Sequence, residues 1–275
     1  MSKTASHKTT RFARRFLDLS AILILAGYLW VVWSASGTAP AGPALDPIWQ
    51  AIQERGTLRV AVDLGFRPFT NLRNGEPVGY DIDLAQAVAA ELGVEAEFVA
   101  VGFDGLYDSL TSGRVDLIAS ALPYAPEQGY RARFSAVYFD AGLMLVAPAG
   151  SSLKGSDDLR NHVVGAALGS DADALLRRLA VDQPALDIRN QFDTPEAVLD
   201  ALRADQLDAA IVDRITALST QNRTPNLQIV EALSYDPYVL ALPAAAFQFH
   251  AEVNAALDTL RAEGFFEELN ARWMR

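Results

Sequence analysis

One pattern of apolar and polar residues occurs twice along this chain. In both copies a Leu is followed six positions later by an Asp and then by a short apolar run, first in 110–120 and again in 202–213. A short apolar run that follows a turn is typical of a buried strand. The first strand would deliver Ser120 at its carboxyl end, and the second would deliver Asp213. Since ligands lie outside the carboxyl ends of strands in open α/β sheets, we expect two similar lobes that share a cleft.

Strands and helices alternate in the sequence around these copies. Alternating apolar residues in 57–63 predict a strand, a helix from Gly79 to about Leu92 follows, and 94–101 predicts the next strand. This order and spacing favour an α/β fold with a parallel sheet. Further strands are predicted at 115–119, 163–168 and 227–230, and further helices at 105–112, 250–261 and 265–273.

Polar residues at the start of several segments predict helix caps. Ser170, with Asp173 three positions later, fits a capping box, and Thr194 followed by a Pro and a Glu fits a helix start. Asp81 and Asp104 are expected to cap the helices that follow them, so their predicted roles are structural.

Two apolar runs are predicted to carry the chain between the lobes. The run 142–147 would cross toward the second lobe, and the run 238–242 would return. The first lobe would then comprise 49–142 and 238–275, and the second lobe 143–237. We expect no further domain after Trp273.

The N-terminal residues predict export of the body of the protein. A basic segment, 1–18, precedes an apolar segment, 19–36, and a linker rich in Pro, Gly and Ala occupies 37–48. The apolar run has a length between those of a signal-peptide core and a membrane-spanning helix, so it is either a cleaved signal or a membrane anchor. In both cases the preceding positive charges place the body outside the inner membrane.

Composition excludes several classes of function. Beyond residue 45 the chain holds 18 basic and 33 acidic residues, and this acidic body argues against nucleic-acid binding. The absence of Cys excludes disulfides, thiolate metal sites and a Cys nucleophile. His7, His162 and His250 have no metal-ligand spacing, so we expect neither a metal nor a cofactor.

Several motifs resemble those of the family 3 extracellular solute-binding proteins, the periplasmic receptors of polar-amino-acid ABC importers. The motifs that carry the resemblance are Leu58-Arg59-Val60, Pro68-Phe69, Gly79-Tyr80-Asp81-Ile82-Asp83-Leu84, Gly113-Arg114-Val115-Asp116, Phe134-Ser135 with Tyr138-Phe139, and Val253-Asn254-Ala255-Ala256-Leu257 through Gly264 to Trp273. The resemblance implies a two-lobed periplasmic-binding-protein fold of type II that closes at a hinge. It also implies a small-molecule ligand, an ABC permease as partner, a monomer and no catalysis.

The resemblance implies a set of ligand-binding residues. An aromatic residue at Phe66 would pack on the ligand, and the segment Ser120-Ala121-Leu122-Pro123 would bind its carboxylate. Gly169 and Ser170 would add donors, and Asp213 would accept the ammonium group of the ligand. Asp63, Phe103 and Gln128 complete the candidate set.

The sequence departs from the family at the position that clamps a carboxylate. Relatives have an Arg where this chain has Gln128, and their usual Thr is Ala125 here. Glutamine still donates hydrogen bonds but carries no charge, so an α-carboxylate loses its strongest partner. We expect a cationic or amine-bearing ligand, or one whose carboxylate contacts Arg67, Arg131 or Arg214.

Two alternatives remain open from the sequence. The resemblance implies that an enzyme on the same scaffold is one alternative, since dehydratases of cyclic diacids and peptidoglycan-cleaving proteins are similar to this family. A cleft rich in acids, with Asp63, Asp104, Glu127 and Asp213, leaves this alternative open. The other alternative is a membrane-anchored sensory ectodomain, which would bind a solute without handing it to an importer.

Overall fold

The structure, a computed structural model, describes residues 46–223 and 226–274. The predicted basic segment, the signal or anchor segment and the linker as far as residue 45 lie outside the described residues. Within the described ranges, every helix is too short or too polar to cross a bilayer.

The described helices are α1 (Pro47–Arg55), α2 (Tyr80–Glu91), α3 (Leu106–Thr111), α4 (Asp171–Asp182), α5 (Pro195–Arg203), α6 (Arg214–Arg223), α7 (Phe247–Ala262) and α8 (Phe265–Trp273). The described strands are β1 (Thr57–Val62), β2 (Asn71–Arg73), β3 (Glu76–Val78), β4 (Glu95–Ala100), β5 (Leu117–Ile118), β6 (Ala132–Phe134), β7 (Phe139–Asp140), β8 (Leu143–Pro148), β9 (Val163–Ala167), β10 (Asp187–Phe192), β11 (Ala209–Asp213), β12 (Leu227–Ala232), β13 (Pro237–Tyr238) and β14 (Ala241–Pro243).

Two five-stranded sheets of the same design form the two lobes. The first has the order β4-β1-β5-β14-β6 and the second the order β10-β9-β11-β8-β12. In each sheet the first three strands are parallel and the last two are antiparallel to their neighbours. The predicted two-lobed α/β fold is therefore confirmed.

The repeated Asp has the same structural role in both lobes. The Asp116 carboxylate accepts a hydrogen bond from the backbone N–H of Arg59, while the N–H of Asp116 donates to the Arg59 carbonyl, at 2.9 and 2.8 Å. Asp208 makes the same two bonds with Val163, at 2.7 and 2.8 Å. Each Asp thereby fixes the start of one strand beside the parallel strand next to it, which explains why the pattern recurs.

A short antiparallel pair of strands, β7 with β13, carries the chain between the lobes, and we call it the crossing pair. The sequence prediction for 142–147 was wrong about the place of crossing, because residues 143–147 belong to β8 inside the second sheet. The Asp140 carboxylate accepts from the N–H groups of Gly142 and Asp236, both at 2.9 Å, and from Arg214 at 3.0 Å. One carboxylate therefore holds both chain crossings together.

The fold begins earlier than the predicted linker end at residue 48. Asp46 caps α1 by accepting from the N–H of Trp49 at 2.6 Å, and its other oxygen accepts from the N–H groups of Gln248 and Phe249. The ring of Trp49 stacks on that of Phe249, with centroids 5.7 Å apart. Asp46 therefore attaches the first helix to the N-terminus of α7.

Two of the four predicted caps are present in the structure. Ser170 accepts from the N–H of Asp173, and Thr194 accepts from the N–H of Ala197, both at 3.2 Å. Asp104 makes no side-chain cap, since a 3₁₀ turn from Phe103 to Gly105 precedes α3. The expectation for Asp81 is also wrong in detail, because Gly79 precedes α2 and the Asp81 side chain points into the core.

We expect the two equivalent Asp residues to differ in their contribution to stability. Asp116 is buried and also pairs with Arg55 and Arg59, whereas Asp208 is exposed. Asp116→Ala should lower the free energy of unfolding by about 3 kcal/mol, because it leaves the guanidinium group and the backbone N–H of Arg59 without an acceptor and removes one of the acceptors of Arg55. Asp208→Ala should lower it by about 1 kcal/mol. Equal losses in urea unfolding would contradict this difference.

Candidate functional site

The carboxyl ends of four parallel strands carry candidate residues, as expected. Asp63 follows β1, Ser120 follows β5, and Gly169 follows β9, while Asp213 is the last residue of β11. A cavity of about 950 Å³ lies where the second lobe meets the crossing pair, and Asp171, Asp213, Tyr235, Asp236 and Tyr238 are among the residues that line it. A smaller cavity of about 170 Å³ brings Ser170 and Asp213 to one wall.

Asp213 ends β11 with its carboxylate at the N-terminus of α6. Its two oxygens accept from the N–H and from the hydroxyl of Thr216, both at 2.8 Å. These bonds fix the carboxylate at the cavity wall. Each oxygen of a carboxylate can accept a second bond, so Asp213 can also bind a donor in the cavity.

The Gly169-Ser170 turn has internal partners for its polar groups. The N–H of Gly169 donates to Asp173 at 3.0 Å, and the Ser170 hydroxyl donates to the carbonyl of Ala167 at 2.7 Å. The side-chain amide of Asn190, the Gly169 N–H and the Arg177 guanidinium all donate to Asp173 and hold its pKa below the usual range. The turn is therefore rigid, and its donors are already engaged.

The segment that begins at Ser120 is also tightly held. The Ser120 hydroxyl oxygen accepts from the N–H of Asp63 at 2.9 Å, and the Leu122 carbonyl accepts from Val239 at 3.0 Å. Ala121 has a positive φ of 43°, and its N–H donates to the buried carboxylate of Asp81. The side chain of Leu122 packs in the core. Since the Ser120 hydroxyl acts as an acceptor toward Asp63, its hydrogen is a donor that a ligand could use.

Asp81 connects this segment to the crossing pair. It is fully buried, and it accepts from the Tyr138 hydroxyl at 2.8 Å as well as from Ala121. Tyr138 directly precedes β7. Burial raises the pKa of Asp81 to about 7, although both hydrogen bonds act in the opposite direction. The sequence predicted a helix cap at Asp81 because the acid stands at a helix start. Only the packing shows that Asp81 instead accepts from Ala121 and Tyr138.

Two acids at the cavity wall were not among the candidates. Asp171 is the first residue of α4, and Asp236 precedes β13. Burial, followed by the negative charges of Asp140 and Asp171, raises the pKa of Asp236. A position directly after the Ser170 cap could have suggested Asp171, but no sequence signal identifies Asp236. We call Asp171, Asp213 and Asp236 the acidic wall; Arg177 and Arg178 also line this cavity.

The remaining first-lobe candidates lie outside that wall. Phe66 is half exposed and stacks on Phe69 with centroids 5.8 Å apart, and Phe103 is also half exposed. Gln128 is partly buried, and its Oε1 has no hydrogen-bond partner among the described residues. Asp104 and Glu127 are exposed.

The three arginines proposed as carboxylate partners differ in their availability. Arg214 pairs with Asp140 at 3.0 Å, and Arg131 pairs with Asp108. Arg67 is exposed, and none of the described carboxylates pairs with it. Within the described ranges, no group of three or more His, Asp and Glu side chains could hold a metal ion.

The model of the bacterial extracellular solute-binding proteins, family 3, matches residues 58–275. The chain is 30% identical to the L-cystine-binding protein TcyJ of Escherichia coli K12 over 227 residues, which cover 81% of this chain and 84% of that protein. It is also similar to the structure of an ancestral cationic amino acid solute-binding protein, with 27% identity, a TM-score of 0.61 and coverage of 82% of this chain and 99% of the other. A third match is the structure of an ancestral cyclohexadienyl dehydratase, with 25% identity, a TM-score of 0.70 and coverage of 82% and 95%.

The raised pKa of Asp81 predicts a pH-dependent stability. The carboxyl titrates near its ordinary pKa of 3.8 when unfolded and at about 7 when folded, so the folded state binds the proton more tightly. The resulting stabilisation is complete below about pH 4 and is lost as the pH rises to 7, at up to about 1.4 kcal/mol per pH unit. Asp81→Asn removes this dependence and should gain stability relative to the wild type over that range. Urea unfolding at several pH values checks this, and a constant difference between the two proteins would contradict it.

Proposed function

Because the chain belongs to family 3 of the bacterial extracellular solute-binding proteins, we propose that it captures a small amine-bearing solute between its two lobes. The family resemblance inferred from the sequence motifs is thus confirmed, and the chain is a substrate-binding receptor. Its solute would be an amino acid with a cationic side chain or another small amine, and the receptor would present it to an ABC permease as an exported monomer.

The observation that carries this proposal is the acidic wall of the larger cavity. Asp213 presents a carboxylate that the Thr216 bonds hold in place, and Asp171 and Asp236 line the same cavity. Hydrogen bonds between an ammonium group and a carboxylate are among the stronger polar contacts. Arg177, which pairs with Asp173, and Arg178 line the same cavity, so the acids exceed the arginines by one, and this excess together with the fixed carboxylate of Asp213 favours an amine-bearing solute.

The proposed site offers fewer free donors to a ligand carboxylate than acceptors to a ligand amine. The Ala121 N–H is already bound to Asp81, and neutral Gln128 replaces the Arg of the family. Arg177 and Arg178 line the cavity, although Arg177 Nε pairs with Asp173, and Arg67 has no carboxylate partner among the described residues, so these three cations could contact an α-carboxylate. The carboxylate would therefore contribute less to affinity than the amine.

Ligand binding would close the cleft through the crossing pair. The two lobes are joined there by strands of two residues each, which is a small element that can absorb a rotation. The bonds of Asp140 would keep the two strands together while the lobes rotate. A solute that contacts both lobes would then stabilise the closed form over the open one.

An enzyme on the same scaffold is the second candidate. The raised pKa of Asp236, beside Asp140 and Asp171, is a property that a general acid requires, and one similar structure is that of an ancestral dehydratase. The test is to incubate the purified protein with a cyclic diacid and to measure the product. Conversion of the diacid would favour the enzyme over the receptor.

We expect calorimetric titration to rank ligands by their charge. L-arginine, L-lysine and putrescine should bind more tightly than L-glutamate, and Asp213→Asn should weaken the binding of the cationic ligands by about a hundredfold, because a charge-assisted bond is lost. The Asn can still accept from Thr216. Asp200→Asn is the matched control, because this exposed carboxylate on α5 lies outside the cavity. Tight binding of L-glutamate, or an equal loss in the control, would contradict the proposal.

Replacing Gln128 by the Arg of the family should show how much the carboxylate of the ligand contributes to affinity. Gln128→Arg should raise the affinity for L-lysine by about tenfold, since a guanidinium group can bind a carboxylate with two parallel bonds. Putrescine has no carboxylate, so its affinity should not rise. Parallel titrations check this, and an unchanged affinity for L-lysine would show that position 128 does not contact the ligand.

A further inference from the structure

A second cavity, which we call the hinge groove, lies beside the crossing pair and has a volume of about 590 Å³. One side comes from the segment 132–137, which contains β6, and the other from Tyr235, Pro237 and Val239, which surround β13. Its volume lies within the usual range for small-ligand sites. Tyr235 also lines the larger cavity of the acidic wall, but Asp171, Asp213 and Asp236 do not line the groove.

The charge of the hinge groove is opposite to that of the larger cavity. The chain carries a net charge of −11, yet the residues that line the groove include Arg133 and His250 and no Asp or Glu. None of the described carboxylates forms an ion pair with Arg133. A cation without a counterion in a protein this acidic favours the binding of an anion.

Two other polar side chains of the groove, His250 and Ser135, are already paired. His250 Nε2 bonds to the carbonyl of Phe134 at 2.8 Å. The Ser135 hydroxyl donates to the carbonyl of Ala136 at 2.7 Å and accepts from the N–H of Leu240 at 2.9 Å. These contacts leave Arg133 as the main donor for a ligand.

Arg133 has unused hydrogen-bonding capacity. Its Nε is buried and has no partner among the described residues, and its Nη2 donates only a long bond of 3.4 Å to the carbonyl of Ala244. The guanidinium carbon lies 4.0 Å from the centre of the Phe247 ring, which fixes the plane of the group. Because the Nε is buried, a carboxylate in the groove would accept from the Nη atoms, which make only the long bond to Ala244.

The rest of the groove offers a flat apolar surface. The ring of Tyr124 packs edge-on against Phe134 with centroids 5.3 Å apart, and both rings line the groove. Tyr124 is half exposed, and Tyr235 on the opposite side is two-thirds exposed. A planar apolar group between these rings would bury surface that now contacts solvent.

We propose that the hinge groove is a second binding site, which takes a small carboxylate with a planar apolar body. The carboxylate would accept from Arg133, and the planar group would pack beside Tyr124 and Tyr235. This site is distinct from the acidic cavity, and it does not depend on which solute binds there.

Sodium benzoate is the probe, and benzamide, which has the same shape without the charge, is its matched control. Calorimetry and amide chemical shifts measured on the full chain should show benzoate binding about tenfold more tightly than benzamide, with shifts centred on 132–137 and 235–239. Equal affinities for the two compounds, or no binding of benzoate, would overturn the proposal.

Variants identify the site. Arg133→Gln should lower the affinity for benzoate by about tenfold, to that of benzamide, whereas Arg131→Gln removes the same charge outside the groove and should have no effect. Ala136→Phe changes an exposed position of the groove wall. It should prevent benzoate binding, because the larger side chain fills the cavity while Arg133 remains. This variant tests the site if Arg133→Gln fails to fold. Benzoate binding that survives the groove variants, or that is lost in Asp213→Asn, would refute the site.

Discussion

The buried carboxylate of Asp81 is the contact that joins the strand-end segment of the first lobe to the crossing pair. It accepts from the N–H of Ala121, which lies in the strand-end segment of the first lobe, and from the hydroxyl of Tyr138, which directly precedes the crossing pair. A buried carboxylate needs such donors, because its desolvation is otherwise too costly. The same two bonds thus satisfy the acid, hold Ala121 at a positive φ and connect the candidate site to the crossing pair.

Charge divides the surroundings of the crossing pair into two regions. The cavity of the second lobe has an acidic wall of Asp171, Asp213 and Asp236, whereas the hinge groove has Arg133 without any acid. Both regions share the exposed ring of Tyr235. Because cations and anions would be attracted to different sides of the same short strands, the two proposed ligands would not compete for one site.

The sequence determined the fold to a considerable depth. The repeated spacing from Leu to Asp predicted two similar lobes, since each Asp bonds to the backbone of the neighbouring parallel strand, as Asp116 does with Arg59 and Asp208 with Val163. The caps at Ser170 and Thr194 were also predictable, because a cap depends only on residues three or four positions away. Helix caps and the repeated Leu-to-Asp spacing can therefore be predicted from the sequence alone.

Only the tertiary structure decided which polar groups are free. Asp81 stands at a helix start in the sequence, yet its partners are 40 and 57 positions away. Partners of Asp236 and Arg133 are 96 and 111 positions away. Sequence spacing cannot show whether a donor is already engaged, as at Gly169, or unpaired, as at the Nε of Arg133. Availability depends on long-range packing, and for that reason the lobes followed from the sequence while the chemistry of the cavities did not.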